Sequence, residues 1–493
     1  MGESLFTYSQ GILMIEHPGD KKEKCGVFGI FHHEDAANIA YLGLYALQHR
    51  GQESGGIASS DGNHIYLHRG MGLVADIFPE SVLRNLKGNS AIGHVRYSTA
   101  GSSYFANAQP IKIICHKGEI AVAHNGNLVN AATLKDRLDR SGSIFQGNSD
   151  TEVILHLIAR SHQKNVMDAI VDALSQVRGA YSLLFMTKDS LIAARDPFGF
   201  RPLLIGKLGD SVVVASETTA FDLIGATWER EIEPGEVVRI SETGVECFKP
   251  FPPQPHQFCV FEMIYFARPD SVIFGHTVRD VRVRLGEALA REHPTDADIV
   301  VPVPDGGVFA AMGYSRISGK PFELALIRNH YVGRTFIEPR SRIRHFGVKI
   351  KLNPIKTLIK GKSVALIDDS IVRSTTSQKM VEMMRSAGAR EVHYRVSSPP
   401  YISPCYYGID TPKKDQLAAA VHTIEEIRQF IGADTLGYLS IEGMLSAVGN
   451  NRNEFCKSCF TAKYPVDYPD EEERQLALFD KGDEESSGDG MPA

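Results

Sequence analysis

Val364-Ala-Leu-Ile-Asp-Asp-Ser-Ile-Val-Arg-Ser-Thr-Thr376 constrains this chain more than any other stretch. An apolar run with no polar alternation reads as a strand buried on both faces, as in a parallel sheet. It ends in two acids, and a turn of small polar residues then opens a helix over Ser377 to Ser386. Ile299 to Val303 is a second strand of this kind and Glu391 to Val396 a third, so the region reads as a doubly wound parallel sheet. The turn points backbone N–H groups where a phosphate can sit, aided by the helix N-terminus. Asp368 and Asp369 stand at the strand's carboxyl end, where open α/β sheets bind ligands. They could grip ribose hydroxyls or a hydrated magnesium ion. The plainer alternative is a strand ending in solvated acids, common for one Asp and far less so for a pair before such a turn.

The first half carries another pattern. Cys25 stands before the strand-like Gly26-Val-Phe-Gly29, and His124-Asn-Gly-Asn127 follows the strand Glu119 to Ala123 as a short Asn-Gly turn. Amide cleavage needs a nucleophile, a proton carrier and donors aimed at the developing oxyanion. A cut between Lys24 and Cys25 would give the thiol its own α-amine, which titrates near ~7.7–8.0 and can act as base. The Asn125 side chain and Gly126 N–H are placed to form the oxyanion hole. Arg96, in His94-Val-Arg-Tyr-Ser-Thr99, could fork onto a carboxylate. Asp150, in the cap Asn148-Ser149-Asp150, could take an ammonium group. Taken singly, each reads as a surface or cap residue, and Cys25 as a buried thiol. Strands over Tyr181 to Met186, Leu191 to Arg195 and Val212 to Ser216 are spaced like antiparallel neighbours. With helices over Ala37 to Leu47, Thr151 to Ser161 and Val166 to Val177, they suggest a layered α/β sandwich.

At 493 residues the chain is long for one core. Phe248-Lys-Pro-Phe-Pro-Pro-Gln-Pro255 is the natural link. The expected division is a leader or propeptide over 1–24, units over 25–255 and 256–465, and an acidic, disordered tail over 466–493. A net charge of −6 argues against nucleic acid as the main partner. No apolar run approaches the ~18 residues of a membrane helix. Met1 to Lys24 is a poor export signal, because its apolar core Gly11 to Ile15 is short and the basic residues follow it. Phe6 stands where myristoylation wants Ser or Thr. Seven cysteines, an odd number spread along the chain, do not make a disulfide framework and point to a reducing cytoplasm.

Together, Cys25-Gly-Val-Phe-Gly, Gln48-His-Arg-Gly-Gln-Glu-Ser54, Gly93-His-Val-Arg-Tyr-Ser-Thr99, His124-Asn-Gly-Asn127 and Asn148-Ser-Asp150 resemble the class II glutamine amidotransferases. The resemblance implies an N-terminal nucleophile hydrolase αββα sandwich in which the first cysteine attacks the glutamine amide. It also implies that Arg96 and Asp150 grip the glutamine α-groups and that Arg50 and Gly51 lie at the site. The segment Asp368, Asp369, Ser370, Ile371, Val372, Arg373, Ser374, Thr375, Thr376 resembles the phosphoribosyl pyrophosphate (PRPP) loop of type I phosphoribosyltransferases. Val301-Pro-Val-Pro-Asp305 looks like that family's pyrophosphate-side turn, and Tyr331 to Ile337 with the basic stretch Arg340 to Lys351 like its lid. From Cys25 to about Pro465 the chain resembles the amidophosphoribosyltransferase family, which makes 5-phosphoribosylamine from PRPP and glutamine, the committed step of purine synthesis. The resemblance implies Mg²⁺, internal passage of ammonia, a homotetramer and inhibition by purine nucleotides. The rival expectations are a relative that only senses PRPP, or a glutamine hydrolase feeding another acceptor.

Cys456-Lys-Ser-Cys459 is at close metal-ligand spacing, and spacing alone leaves zinc, an iron–sulfur cluster and plain buried thiols open. The resemblance implies a [4Fe–4S] cluster on Cys259, Cys405, Cys456 and Cys459, as in the family branch that also has a propeptide. Three positions depart from the family pattern. Lys24 precedes the thiol where an acid is more usual. Gly306 stands where a serine often helps hold the metal beside Asp368 and Asp369. Ser374 replaces a frequent glycine, which its Cβ tolerates only if φ stays negative.

Overall fold

Gly26–Phe31 (β1) is buried along its whole length because both of its faces are covered. Phe28 and Ile30 turn to one side, against the helix Ala36–Ala46 (α1). Val27 and Phe31 turn to the other, against a second sheet. The computed structural model describes residues 25–97, 105–329, 352–411 and 413–468. The expected leader, Ser98 and Thr99, the lid segments and the tail beyond 468 lie outside the described residues.

Around β1 are Ser54–Ser60 (β2), Ile65–Met71 (β3), Ser90–Arg96 (β4), Leu204–Leu208 (β9), Ser211–Ala215 (β10) and Thr227–Glu231 (β11), in the antiparallel order β11-β9-β10-β1-β4-β2-β3. The facing sheet contains Ile111–Cys115 (β5), Gly118–Leu128 (β6), Gly179–Met186 (β7), Ser190–Arg195 (β8), Val237–Ser241 (β12) and Gly244–Phe248 (β13), in the order β13-β12-β8-β7-β6-β5. Asp150–Arg160 (α2) and Val166–Gln176 (α3) cover its outer face through Val153, Ile154, Leu157 and Ile170. Two sheets between helices make the expected αββα sandwich.

Two local expectations are corrected. The strand expected over Val212 to Ser216 forms as Ser211–Ala215 (β10), yet it pairs with β1 and β9 and lies in the opposite sheet from β7 and β8. The Asn125-Gly126 step is no turn, because β6 runs unbroken to Leu128 and pairs with β7 throughout. Strand pairing over that length overrides a turn dipeptide.

Residues 249–257 form no helix or strand. The second region is built on Ile299–Pro302 (β14), Ser363–Asp368 (β15), Glu391–Val396 (β16) and Thr435–Tyr438 (β17), all parallel and in that order. Phe322 bridges Val300 in parallel on the far side of β14. The chain therefore leaves β14 for one edge, then returns to build β15, β16 and β17 on the other. The doubly wound reversal thus falls between β14 and β15, where such sheets bind ligands. Val278–Glu292 (α4) and Val308–Ser318 (α5) pack on the face of Val300, Ala365 and Ile367. Thr375–Ser386 (α6) and Ile424–Ile431 (α7) pack on the face of Val301, Val364 and Leu366. Between the regions, Glu262–Phe266 makes one turn of π-helix. Phe258, Val260, Phe261 and Met263 belong to the same apolar cluster as α1 and α4. No helix among the described residues is long and apolar enough to cross a membrane.

Candidate active sites

Cys25 is buried just ahead of β1, and its thiol donates to the Tyr97 carbonyl at 3.9 Å. Its own carbonyl accepts from Arg50 Nε at 3.1 Å. The Arg50 guanidinium is not offered to a substrate. It sits between Glu217 and Glu262, with Nη2 to Glu262 Oε1 at 2.6 Å and Nη1 to Oε2 at 3.0 Å. Burial alone would lower its proton affinity, and the two carboxylates reverse that. Gly51 follows as a necessity of space, since a Cβ there would lie 2.7 Å from the Arg96 backbone nitrogen.

Asn125 is almost fully buried, and among the described residues neither its side-chain amide nitrogen nor its oxygen has a hydrogen-bond partner. A buried amide without a partner costs about 1–3 kcal/mol, so its retention points to a ligand. A Cβ on Gly126 would lie 2.0 Å from the Ala180 carbonyl, so only glycine brings this backbone so close. His94 and His124 hold the segment; both lie inside motifs read from the sequence, which assigned them no role. His94 Nε2 meets the His124 carbonyl at 2.9 Å, and the His124 N–H donates to Gln109 Oε1 at 2.7 Å.

Arg96 is buried, with Nη1 on Glu53 Oε1 at 2.8 Å. Asp150 opens α2, where Ser149 caps by accepting from the Thr151 N–H. Its carboxylate accepts from the Leu128 N–H at 2.9 Å, and its other oxygen faces His124 Nδ1 at 3.6 Å. Burial pushes Asp150 up, but His124 and these hydrogen bonds hold it below the ordinary carboxylate range. It is therefore a permanent anion near neutrality, suited to an ammonium group.

In the second region Asp368 ends β15 and Asp369 follows it, both buried. Asp368 accepts from Tyr394 Oη at 2.6 Å and from the Asp369 N–H at 2.8 Å. Asp369 accepts from Ser370 Oγ at 2.7 Å. Ser374 occupies the N-cap position of α6, without a side-chain capping bond, at φ +60°, against the expectation of a negative φ. An L-residue held there pays about 1–2 kcal/mol in backbone strain. Among the described residues the buried hydroxyls of Ser374 and Thr375 have no partners, as donors awaiting a ligand would. Ile371 is buried, the Val372 carbonyl accepts from the Ala418 N–H, and Arg373 Nη2 donates to Gln416 at 3.0 Å. Thr376 continues the first turn of α6. Gly306 has only backbone to offer a metal, and a Cβ there would stand 1.9 Å from Asp369 Oδ2.

Cys259, Cys405, Cys456 and Cys459 are all free thiols lining one cavity, walled by Phe200, Phe261, Tyr401, Tyr407 and Ile409. Phe258–Cys259 pairs in parallel with Phe455–Cys456, which sets Cys259 opposite Cys456. Among the described residues no three His, Cys, Asp or Glu side chains close around a single ion. A cubane does not need them to, because each of its irons takes its own thiolate.

A glutamine amidotransferase domain model matches residues 94–222. The amidophosphoribosyltransferase of Bacillus subtilis is 50% identical over 450 residues, 90% of this chain and 94% of the relative. That of Rhizobium etli is 51% identical, covering 90% of this chain and 92% of the relative. A solved structure of the allosteric regulatory enzyme of purine biosynthesis superposes with TM-score 0.87 at 50% identity, covering 90% of this chain and 97% of that one. The glutamine PRPP amidotransferase from B. subtilis, solved with ADP and GMP, superposes with TM-score 0.86 at 49% identity, covering 90% and 98%. A nucleophile-hydrolase sandwich joined to a phosphoribosyltransferase sheet defines the class of two-site glutamine-dependent transferases. Within it, the chain belongs to the amidophosphoribosyltransferase family.

Proposed function

We propose that this protein converts PRPP and glutamine to 5-phosphoribosylamine, glutamate and pyrophosphate, the first step of purine biosynthesis. The observation that carries the reading is a buried Asn125 amide, without a partner among the described residues, beside Gly126, in the same chain as an acid pair at the reversal of a doubly wound sheet. Cys25 Sγ attacks the glutamine side-chain carbonyl. Asn125 and the Gly126 N–H take the oxyanion, ammonia leaves as the C–N bond breaks, and water hydrolyses the thioester to glutamate. Arg96 takes the glutamine α-carboxylate and Asp150 its α-ammonium group. Arg50 and Gly51 shape the site around the Cys25 carbonyl.

The ammonia nitrogen then attacks the anomeric carbon of PRPP while its bond to the pyrophosphate oxygen breaks. Residues 368–376 cradle the phosphoribosyl end. Asp368 and Asp369 would hold Mg²⁺, which when bound would spread the charge of the leaving pyrophosphate. Gly306 would contribute closeness of backbone and no side-chain ligand. Four free thiols around one cavity fit a structural [4Fe–4S] cluster held by Cys259, Cys405, Cys456 and Cys459. The family resemblance supports a cytoplasmic homotetramer under purine nucleotide inhibition, processed after Lys24.

The test separates the two half-reactions. Cys25→Ala should abolish glutamine use and keep pyrophosphate release from PRPP with added ammonium salt at higher pH, where free NH₃ is available. Retention of both activities, or loss of both in a folded variant, overturns the reading.

A further inference from the structure

We propose that Glu262 is a positioning residue for amide cleavage, its carboxylate orienting Cys25 and bracing the oxyanion hole from beyond the proline-rich stretch. The inference rests on the reading of Cys25 as nucleophile. Glu262 is fully buried, as are both arginines it holds. Towards Arg50 it makes two hydrogen bonds, at 2.6 and 3.0 Å, and Arg50 in turn donates to the Cys25 carbonyl. Towards Arg201 it makes one, at 2.6 Å. Arg201 has no other carboxylate partner among the described residues, and its Nε and Nη2 are buried without acceptors. Arg201 and the Gly126 backbone meet at Gly408. A Cβ there would lie 3.1 Å from Gly126 Cα and 3.2 Å from Arg201 Nε. Glu262 thus holds two planar forks, sharing Arg50 with Glu217: one against the nucleophile's carbonyl, and one that faces the peptide of the oxyanion donor across Gly408.

The position of Glu262 suits this task. It starts the π-helical turn Glu262–Phe266, whose Met263 carbonyl, with that of Ala267 just beyond, accepts from buried Arg282 at 2.9 and 2.8 Å. A turn pinned at both ends holds its first side chain still. The amidase site is therefore completed by a residue of the following region.

Glu262→Gln in the full-length protein keeps the shape and removes the charge. With glutamine as nitrogen source kcat should fall about a hundredfold, as expected for a nucleophile held out of line. KM for glutamine should stay within about threefold, since Arg96 and Asp150 are untouched. The rate with ammonium salt should stay within about twofold of wild type. Glu262→Gln with Arg201→Gln restores the charge balance and settles the case in which the single variant does not fold. This double variant should fold and still fail with glutamine. A wild-type glutamine rate in either variant, or equal loss with both nitrogen sources in the folded double variant, overturns the proposal. Glutamine use retained by Cys25→Ala would instead remove the nucleophile reading beneath it.

Discussion

His94 lies buried in β4 with Nε2 against the carbonyl of His124, and burial pushes its pKa down from 6.5 to about 3. It is neutral in the folded protein, so Nε2 carries the proton and donates to the residue just before Asn125. The unfolded chain binds this proton below pH 6.5 and the folded one does not until about pH 3. Stability therefore rises with pH across that window and is lost as pH falls through it, with a limiting slope of about 1.4 kcal/mol per pH unit from this group. His94→Gln, whose amide can still donate, should flatten the acid limb of a urea-unfolding series between about pH 6 and pH 4. An unchanged acid limb would mean that His94 titrates normally.

At the scale of elements, β6 and the loop around Gly408 form one unit. Asn127 Nδ2 donates to the Tyr406 carbonyl at 2.8 Å, and Gly408, at φ +104°, lies against Gly126. Gly408→Ala adds about 1–3 kcal/mol of backbone strain and presses on Gly126. Glutamine-dependent turnover should fall at least about tenfold while ammonium-dependent turnover holds. Equal losses with the two nitrogen sources would show general damage instead. The motifs of the two candidate sites were legible in the chain. Cys25, the Asn125-Gly126 step (read as a turn), the Ser149 cap and the acid pair at the end of β15 are local signals, readable because each motif is contiguous. The partner sheet of Val212–Ser216 was not, since spacing identifies a strand and not its neighbour. The roles of Glu217, Glu262 and His94 went unread for a related reason, although His94 lies inside the Gly93 to Thr99 motif. A single buried acid or imidazole has no local pattern, and its meaning comes from partners such as Arg50, 167 and 212 residues away from Glu217 and Glu262. Ser374 was visible as a departure, but its positive φ belongs to the loop it closes.

At the scale of the whole molecule, the four cavity thiols come from three distant segments, and whatever they bind fastens those segments together. Anaerobically purified protein should be brown and carry about four iron and four sulfide per chain. Colourless protein with zinc would refute the cluster. Bleaching by oxygen should coincide with inactivation, because it releases Phe455–Cys456 from Phe258–Cys259.

That short parallel pairing also sets a timetable. Its partners are roughly 200 residues apart, and a ribosome adds about 5–20 residues per second. For about 10–40 s of synthesis, the emerged amidase half has its neighbouring strand still unmade. A newborn chain is then a natural client for chaperones. It also cannot gather its four thiols before the second half exists.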